Sequence, residues 1–150
     1  MARTSTRFTS IKAMVLGSVL VIAGCAGVVV GKTPSTTFDV PISIQRAYDR
    51  TIAQAKYCLV TEDNYPLTAQ MSADKQSASV NVRMSMTGTL LADIELTSVS
   101  ADKTNVTVSM WGVSVWDQAA VNAMKAAIQF GVPSCTDYFP TISPPKGTRR

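Results

Sequence analysis

The sequence predicts an α+β fold, a two-layer sandwich with a four- to five-stranded antiparallel sheet and two helices on one face, in the order β-α-β-β-β-β-α. Three observations lead there. Between residues 67 and 110 apolar and polar side chains alternate with a period of two, which marks strands with one apolar and one polar face. Before and after that stretch, apolar residues recur at three- and four-residue spacing, which marks helices with one buried stripe. The alternation leaves the sheet a single apolar face, so both helices are expected to cover it.

The elements follow in order. Residues 31–37 (Gly-Lys-Thr-Pro-Ser-Thr-Thr) read as a polar tether, and residues 38–40 as a short strand closed by Pro41. Ser43 is placed to cap a helix running to about Tyr57. Its apolar positions are Ile44, Ala47, Tyr48, Ile52 and Ala55, with Arg46, Asp49, Arg50 and Lys56 on the other side. Four strands come next. Leu67, Ala69 and Met71 alternate with Thr68 and Gln70, and a turn follows at Asp74-Lys75. Ala78, Val80, Val82, Met84 and Met86 alternate with Ser79, Asn81, Arg83 and Ser85. Leu90, Ala92, Ile94 and Leu96 alternate with Leu91, Asp93, Glu95 and Thr97. Val106, Val108 and Met110 alternate with Thr107, Ser109 and Trp111.

A two-residue turn at Thr87-Gly88 would set Val82 opposite Asp93 and mix acids into the apolar face. A three-residue loop, Thr87-Gly88-Thr89, pairs Met84 with Ala92 and Val82 with Ile94, and sets Arg83 opposite Asp93. That register is the expected one. The second helix is expected from about Ser114, with Asp117 in a capping-box-like place. Val115, Ala119, Ala120, Ala123, Met124, Ala127, Ile128 and Phe130 form its apolar side, and Gly131 and Pro133 end it. Residues 38–139 thus make one domain, and the tail 140–150 reads as disordered.

Charge excludes a class of partner. The net charge of +4 comes from the two ends: Arg3, Arg7 and Lys12 stand before residue 25, and Lys146, Arg149 and Arg150 after residue 140. Between them eight cations face ten acids, so there is no concentrated basic surface and no nucleic-acid partner is expected. Histidine is absent, which removes the commonest general base and metal ligand. No catalytic residue, metal site or cofactor is expected.

The first 25 residues carry the most specific signal. A head with Arg3, Arg7 and Lys12 and no acid precedes an uncharged, largely apolar run from Ala13 to Gly24, the layout of a secretory leader. The run ends in Ile22-Ala23-Gly24-Cys25, which resembles the lipobox of bacterial lipoproteins. The resemblance implies a signal peptide of residues 1–24 removed before Cys25, and acyl chains attached to the Cys25 thiol. It implies a membrane partner through that lipid, with residues 25–37 as lipidated cysteine and tether. Ala26 is not the aspartate tied to inner-membrane retention in enteric bacteria, so the class points to the outer membrane. The rival is an uncleaved helix from Ala13 to Gly31, nearly a spanning length but weakened by Gly17, Gly24, Gly27 and Gly31. Topology adds a second likeness, to the small α/β modules of envelope lipoproteins that assist lipopolysaccharide transport or barrel assembly.

With Cys25 taken by lipid, Cys58 and Cys135 remain, and in an oxidising compartment a disulfide is the natural reading. The bridge requires the C-terminal ends of the two helices to meet, so the helices are expected to run closer to parallel than antiparallel. Asp93 and Glu95 share a strand face as an acid–base pair would, but Arg83 opposite makes a cross-strand ion pair the better account. Glu62, Asp63 and Asn64 offer too few oxygens for calcium. Trp111 on the polar face is a candidate partner contact, alongside Arg83 and Asp93. Two functions follow. One is a non-enzymatic accessory or structural protein that binds another envelope component. The other is a binding protein for a small apolar ligand or lipid held between sheet and helices, lined by Met71, Met84, Met86, Met110 and Met124. A pocket of a few hundred Å³ between the layers would favour the second.

Overall fold

A computed structural model describes residues 27–61 and 63–135. The expected signal peptide, Cys25, Glu62 and the expected disordered tail lie outside the described residues. The elements are β1 (Ser35–Val40), α1 (Ile44–Cys58), β2 (Leu67–Met71), β3 (Ser77–Arg83), β4 (Leu90–Ser100), β5 (Lys103–Met110) and α2 (Gln118–Phe130). They form the expected α+β fold. One sheet has the order β1-β5-β4-β3-β2, with every neighbouring pair antiparallel. Helix α1 lies against β2 to β5, and α2 against β5 and β1.

The period-two pattern assigns the faces. Val80, Val82, Ile94, Leu96, Val106 and Val108 are all buried under the helices, as expected. Asn81, Arg83, Asp93 and Thr107 occupy the alternate positions. From the helix side, Ala47, Ala55, Ala120, Val121, Met124 and Ile128 fill the layer between. Burying each large aliphatic side chain stabilises the fold by roughly 1.5–3 kcal/mol. The small residues let both helices approach the sheet closely.

The register differs from the expected one by two residues. Val82 pairs with Ala92, Val80 with Ile94, and Asn81 with Asp93. Arg83 is therefore not opposite Asp93; it pairs with Leu90, and its guanidinium donates to the Gly88 carbonyl at 3.1 Å. The connection is longer than three residues. Residues 84–89 form it, closed by Met84 N–H donating to the Thr89 carbonyl (2.9 Å) and Gly88 N–H to the Met84 carbonyl (2.8 Å). Gly88 takes φ +70°, in the left-handed region open to glycine. Met84 and Met86 thereby leave the strand, and Met86 is 92% exposed. A bulge beside Val82 makes Leu91 an extra residue on β4, so Leu91 and Ala92 are both fully buried, against the strict alternation.

Helix α1 begins as expected, with the Ser43 hydroxyl accepting from Arg46 N–H. Helix α2 starts later than expected. Asp117 itself is the cap, its carboxylate accepting from the N–H groups of Ala119 (2.8 Å) and Ala120 (3.1 Å), and Ser114 lies outside the helix. The buried stripe becomes Ala120, Val121, Met124, Ala127 and Ile128, which leaves Ala119 and Phe130 exposed. Gly131 closes the helix at φ +76°.

The helices also run in opposite senses rather than parallel. Helix α1 passes from the Val40 end of the sheet to the Leu67 end, and α2 sets out from Met110 at that second end. Its last carbonyls meet α1 about midway along: Arg50 donates to the carbonyls of Ile128 (2.8 Å) and Gln129 (3.0 Å). Cys58 and Cys135 nevertheless stand at bonding distance, with Cα atoms 5.3 Å apart. After Gly131 the chain doubles back along α1, where Gln54 holds Ser134 through its N–H (2.9 Å) and carbonyl (2.8 Å). From Arg50 to Cys58 the helix rises about 12 Å. The four steps from residue 131 to 135, extended, cover about 13 Å. The bridge therefore closes without the helix ends meeting.

Candidate functional site

The face of the sheet that carries no helix is built from short polar side chains. Thr37 and Thr107 share a hydroxyl–hydroxyl hydrogen bond (3.0 Å) across β1 and β5. Asn105 donates to Asp39 (2.7 Å), and Lys103 pairs with the same carboxylate (2.8 Å). These contacts hold the Asp39 carboxyl below the usual range, Asn105 first and Lys103 after it. Side chains so short leave the backbone of a five-stranded sheet close to the surface, and two hollows form there. One, of about 490 Å³, lies toward β2 among Gln70, Ser72, Ser77, Ser79, Glu95 and Thr97.

The second hollow revises the expected tether. Residues 35–37 belong to β1, and residues 27–34 pack onto the domain instead of leading away from it. Val28 N–H donates to the Leu90 carbonyl (2.9 Å), and the Pro34 carbonyl accepts from Met110 N–H (2.9 Å). Between this segment and the sheet is a space of about 240 Å³, walled by Val28, Val30 and Gly31 on one side and Asp93, Glu95, Thr107 and Ser109 on the other.

Asp93 stands on the same face, with its carboxyl shifted in the opposite direction to that of Asp39. It is half-buried, and Asn81 donates to it at 2.6 Å. Loss of water pushes its carboxyl pKa up, opposed by the Asn81 hydrogen bond and the Arg83 charge. A pKa raised on folding means that stability is complete while the group is protonated and falls as pH rises from 3.8 through the folded-state value. Asp93→Asn keeps an oxygen for Asn81 and removes the charge. It is expected to raise Tm at neutral pH, with the gain disappearing below pH 3.8 in a thermal melt series. A gain that persists in acid would place its cause elsewhere.

The remaining candidates separate. Trp111 is half-buried against the core rather than standing out as an exposed contact, because the chain bends at Gly112 and residues 27–34 crowd this corner. Trp116 is buried and meets the Tyr65 ring edge-on, centroids 5.6 Å apart. Arg83 and Asp93 share a face but no ion pair, since the register slip puts Asn81 between the strands at Asp93. The five methionines do not converge: Met110 and Met124 are fully buried, Met71 and Met84 half-buried, and Met86 exposed. Both hollows described above lie on the helix-free side. Among the described residues no three or more His, Cys, Asp or Glu side chains come together as a metal site. No helix among them is long and apolar enough to cross a membrane.

Sequence reasoning missed the residues that position the bridge, Arg50 and Gln54, because a charged and an amide side chain on a helix read as solvent-facing. It also missed Thr104, buried with its hydroxyl donating to the Ile42 carbonyl (2.8 Å). The docked segment left one signal, Gly27, whose place beside the Leu90 backbone a Cβ would occupy. No family model matches this chain, and no curated protein matches it either.

Proposed function

We propose that the chain is a lipid-anchored protein of the bacterial cell envelope, with a non-enzymatic role in binding another envelope component. The observation that carries the reading is the leader. Its basic head, uncharged apolar run and Ile22-Ala23-Gly24-Cys25 box agree in position. The pairing of Cys58 with Cys135 suits an oxidising compartment and leaves Cys25 as the cysteine for lipid. The apolar side chains of the sheet and both helices are buried in one shared cluster, which favours a partner on the outside over an apolar ligand within. The hollows on the polar face mix apolar groups, Met71, Ala78 and Leu96 in one and Val28 and Val30 in the other, with side chains that can hydrogen-bond to a partner. The outer membrane is the proposed destination.

Cys25→Ala tests the anchor. The variant is expected to remain as uncleaved precursor without acyl mass, whereas the parent protein loses residues 1–24 and gains lipid. Normal lipidated mass in the variant ends the reading. The partner role is tested by crosslinking in intact envelopes, comparing the parent with Ser79→Arg and Thr107→Arg on the polar face. One adduct lost in both variants supports it. A small apolar molecule co-purifying at equal stoichiometry with the folded protein favours the alternative ligand-binding function.

A further inference from the structure

The position of Gly27 limits how a lipid on Cys25 can hold this domain. Val28 N–H is hydrogen-bonded to the Leu90 carbonyl (2.9 Å), and Gly27 packs so closely on the Leu90 backbone that a side chain there would run into it. The chain is therefore fastened to the domain only two residues after Cys25. Two residues span at most about 7 Å. The headgroup layer of one leaflet is of similar thickness, roughly 5–8 Å. A lipid on Cys25 leaves no slack for the domain to swing away from the bilayer.

What lies at that point is the connection of residues 84–89, which ends at Leu90. Its tip suits a bilayer surface. Met86 is 92% exposed, and no acid occurs from Arg83 to Leu90. Val113, 48% exposed, is at the same end of the sheet, after β5. Asp63 lies beside the connection, its carbonyl accepting from the Ser85 hydroxyl (3.1 Å). The opposite end of the sheet also exposes apolar side chains, Val99 (55%) and, at the end of α2, Phe130 (76%), but its turns are charged. They carry Asp74, Lys75 and Asp102, with Lys103 at the start of β5, all exposed, and Ser72 and Ser100 bond to the two acids there. An exposed methionine is soft and unbranched, and enters an interfacial layer at little cost.

We infer that the lipid on Cys25 does not hang the domain on a free tether but seats it on the bilayer through the 84–89 connection, with Met86 in the headgroup layer and the Asp74 and Asp102 turns pointing away. The inference rests on the lipid anchor proposed above. Its consequence is that the polar sheet face stands beside the membrane at a set height, where it can meet only partners that are themselves close to the surface.

The test uses the full chain, exported, lipidated and reconstituted in vesicles of phosphatidylethanolamine and phosphatidylglycerol. A fluorescent amino acid is placed at Met86 or, in a second sample, at Lys75, and nitroxide-labelled lipids quench it. Quenching several-fold stronger at position 86 than at 75 is expected. A ten-residue Gly/Ser insertion after Ala26, which reaches about 17 Å on average, should bring the two positions toward equality without changing Tm. Equal quenching in lipidated, vesicle-bound protein without the insertion overturns the seating and leaves the anchor standing. Protein that carries no acyl mass and does not float with vesicles overturns both.

Discussion

Cys135→Ser is expected to cost about 4 kcal/mol of stability, read as a lower urea midpoint under non-reducing conditions. The estimate follows from loop length: the bridge closes a separation of 77 residues, and restricting so long a loop in the unfolded chain is worth about 4–4.5 kcal/mol in the chain-entropy account. Position 135 suits the test better than position 58, because Cys58 is buried at the end of α1 and its loss would add a packing defect. The native fold should survive. Gln54 still binds Ser134 through two hydrogen bonds, and Arg50 still holds the end of α2. Reductant should shift the parent by the same amount and leave the variant unmoved. A parent protein indifferent to reductant contradicts the bridge and the doubling back of residues 131–135 that brings it about.

Ile94→Ala should cost a similar amount, about 4 kcal/mol, within the range of 2–5 for such truncations. Ile94 is fully buried on the central strand, between Val80 on β3 and Val108 on β5. Helices lie on that face and sheet neighbours on both sides, so little can collapse into the space left. The neighbour is the control. Glu95 is exposed on the other face, pairs with Ser79 and Thr107, and Glu95→Ala should fall within about 0.5 kcal/mol of the parent. Urea titrations of the two variants side by side decide it. Comparable costs would mean that the sheet is not covered on one side only.

Asp93 shows where sequence reading stopped short. Its face was legible, and its partner was not. A slip of two residues between β3 and β4 keeps every side chain on its face, so the hydrophobic pattern accepts either register. The choice lies with the closing hydrogen bonds of residues 84–89, the left-handed Gly88, the Asn81–Asp93 bond and the bulge beside Val82. The same change turned Arg83 from an expected ion-pair partner into a loop clamp, and withdrew Met86 from the apolar face. The surroundings of Trp111 were not legible for a related reason. Its exposure depends on residues 27–34, which read as a polar tether and pack as part of the domain.

What the sequence by itself determined is the fold class, the order of the elements, the inward face of each strand and the cap at Ser43. These depend on periods of two and 3.6 and on single side chains bonding nearby backbone, all of them local. The cysteine pairing was legible too, by counting. What only the tertiary structure decided is the register of β3 on β4, the start of α2 at Asp117, the opposite senses of the helices and the docking of residues 27–34. Each turns on contacts between residues far apart in the chain. Arg50 meets Ile128, Gln54 meets Ser134 and Val28 meets Leu90. In each pair at least one partner is a backbone group, which every residue carries. No residue pattern distinguishes one such pairing from another until the chain has closed around it.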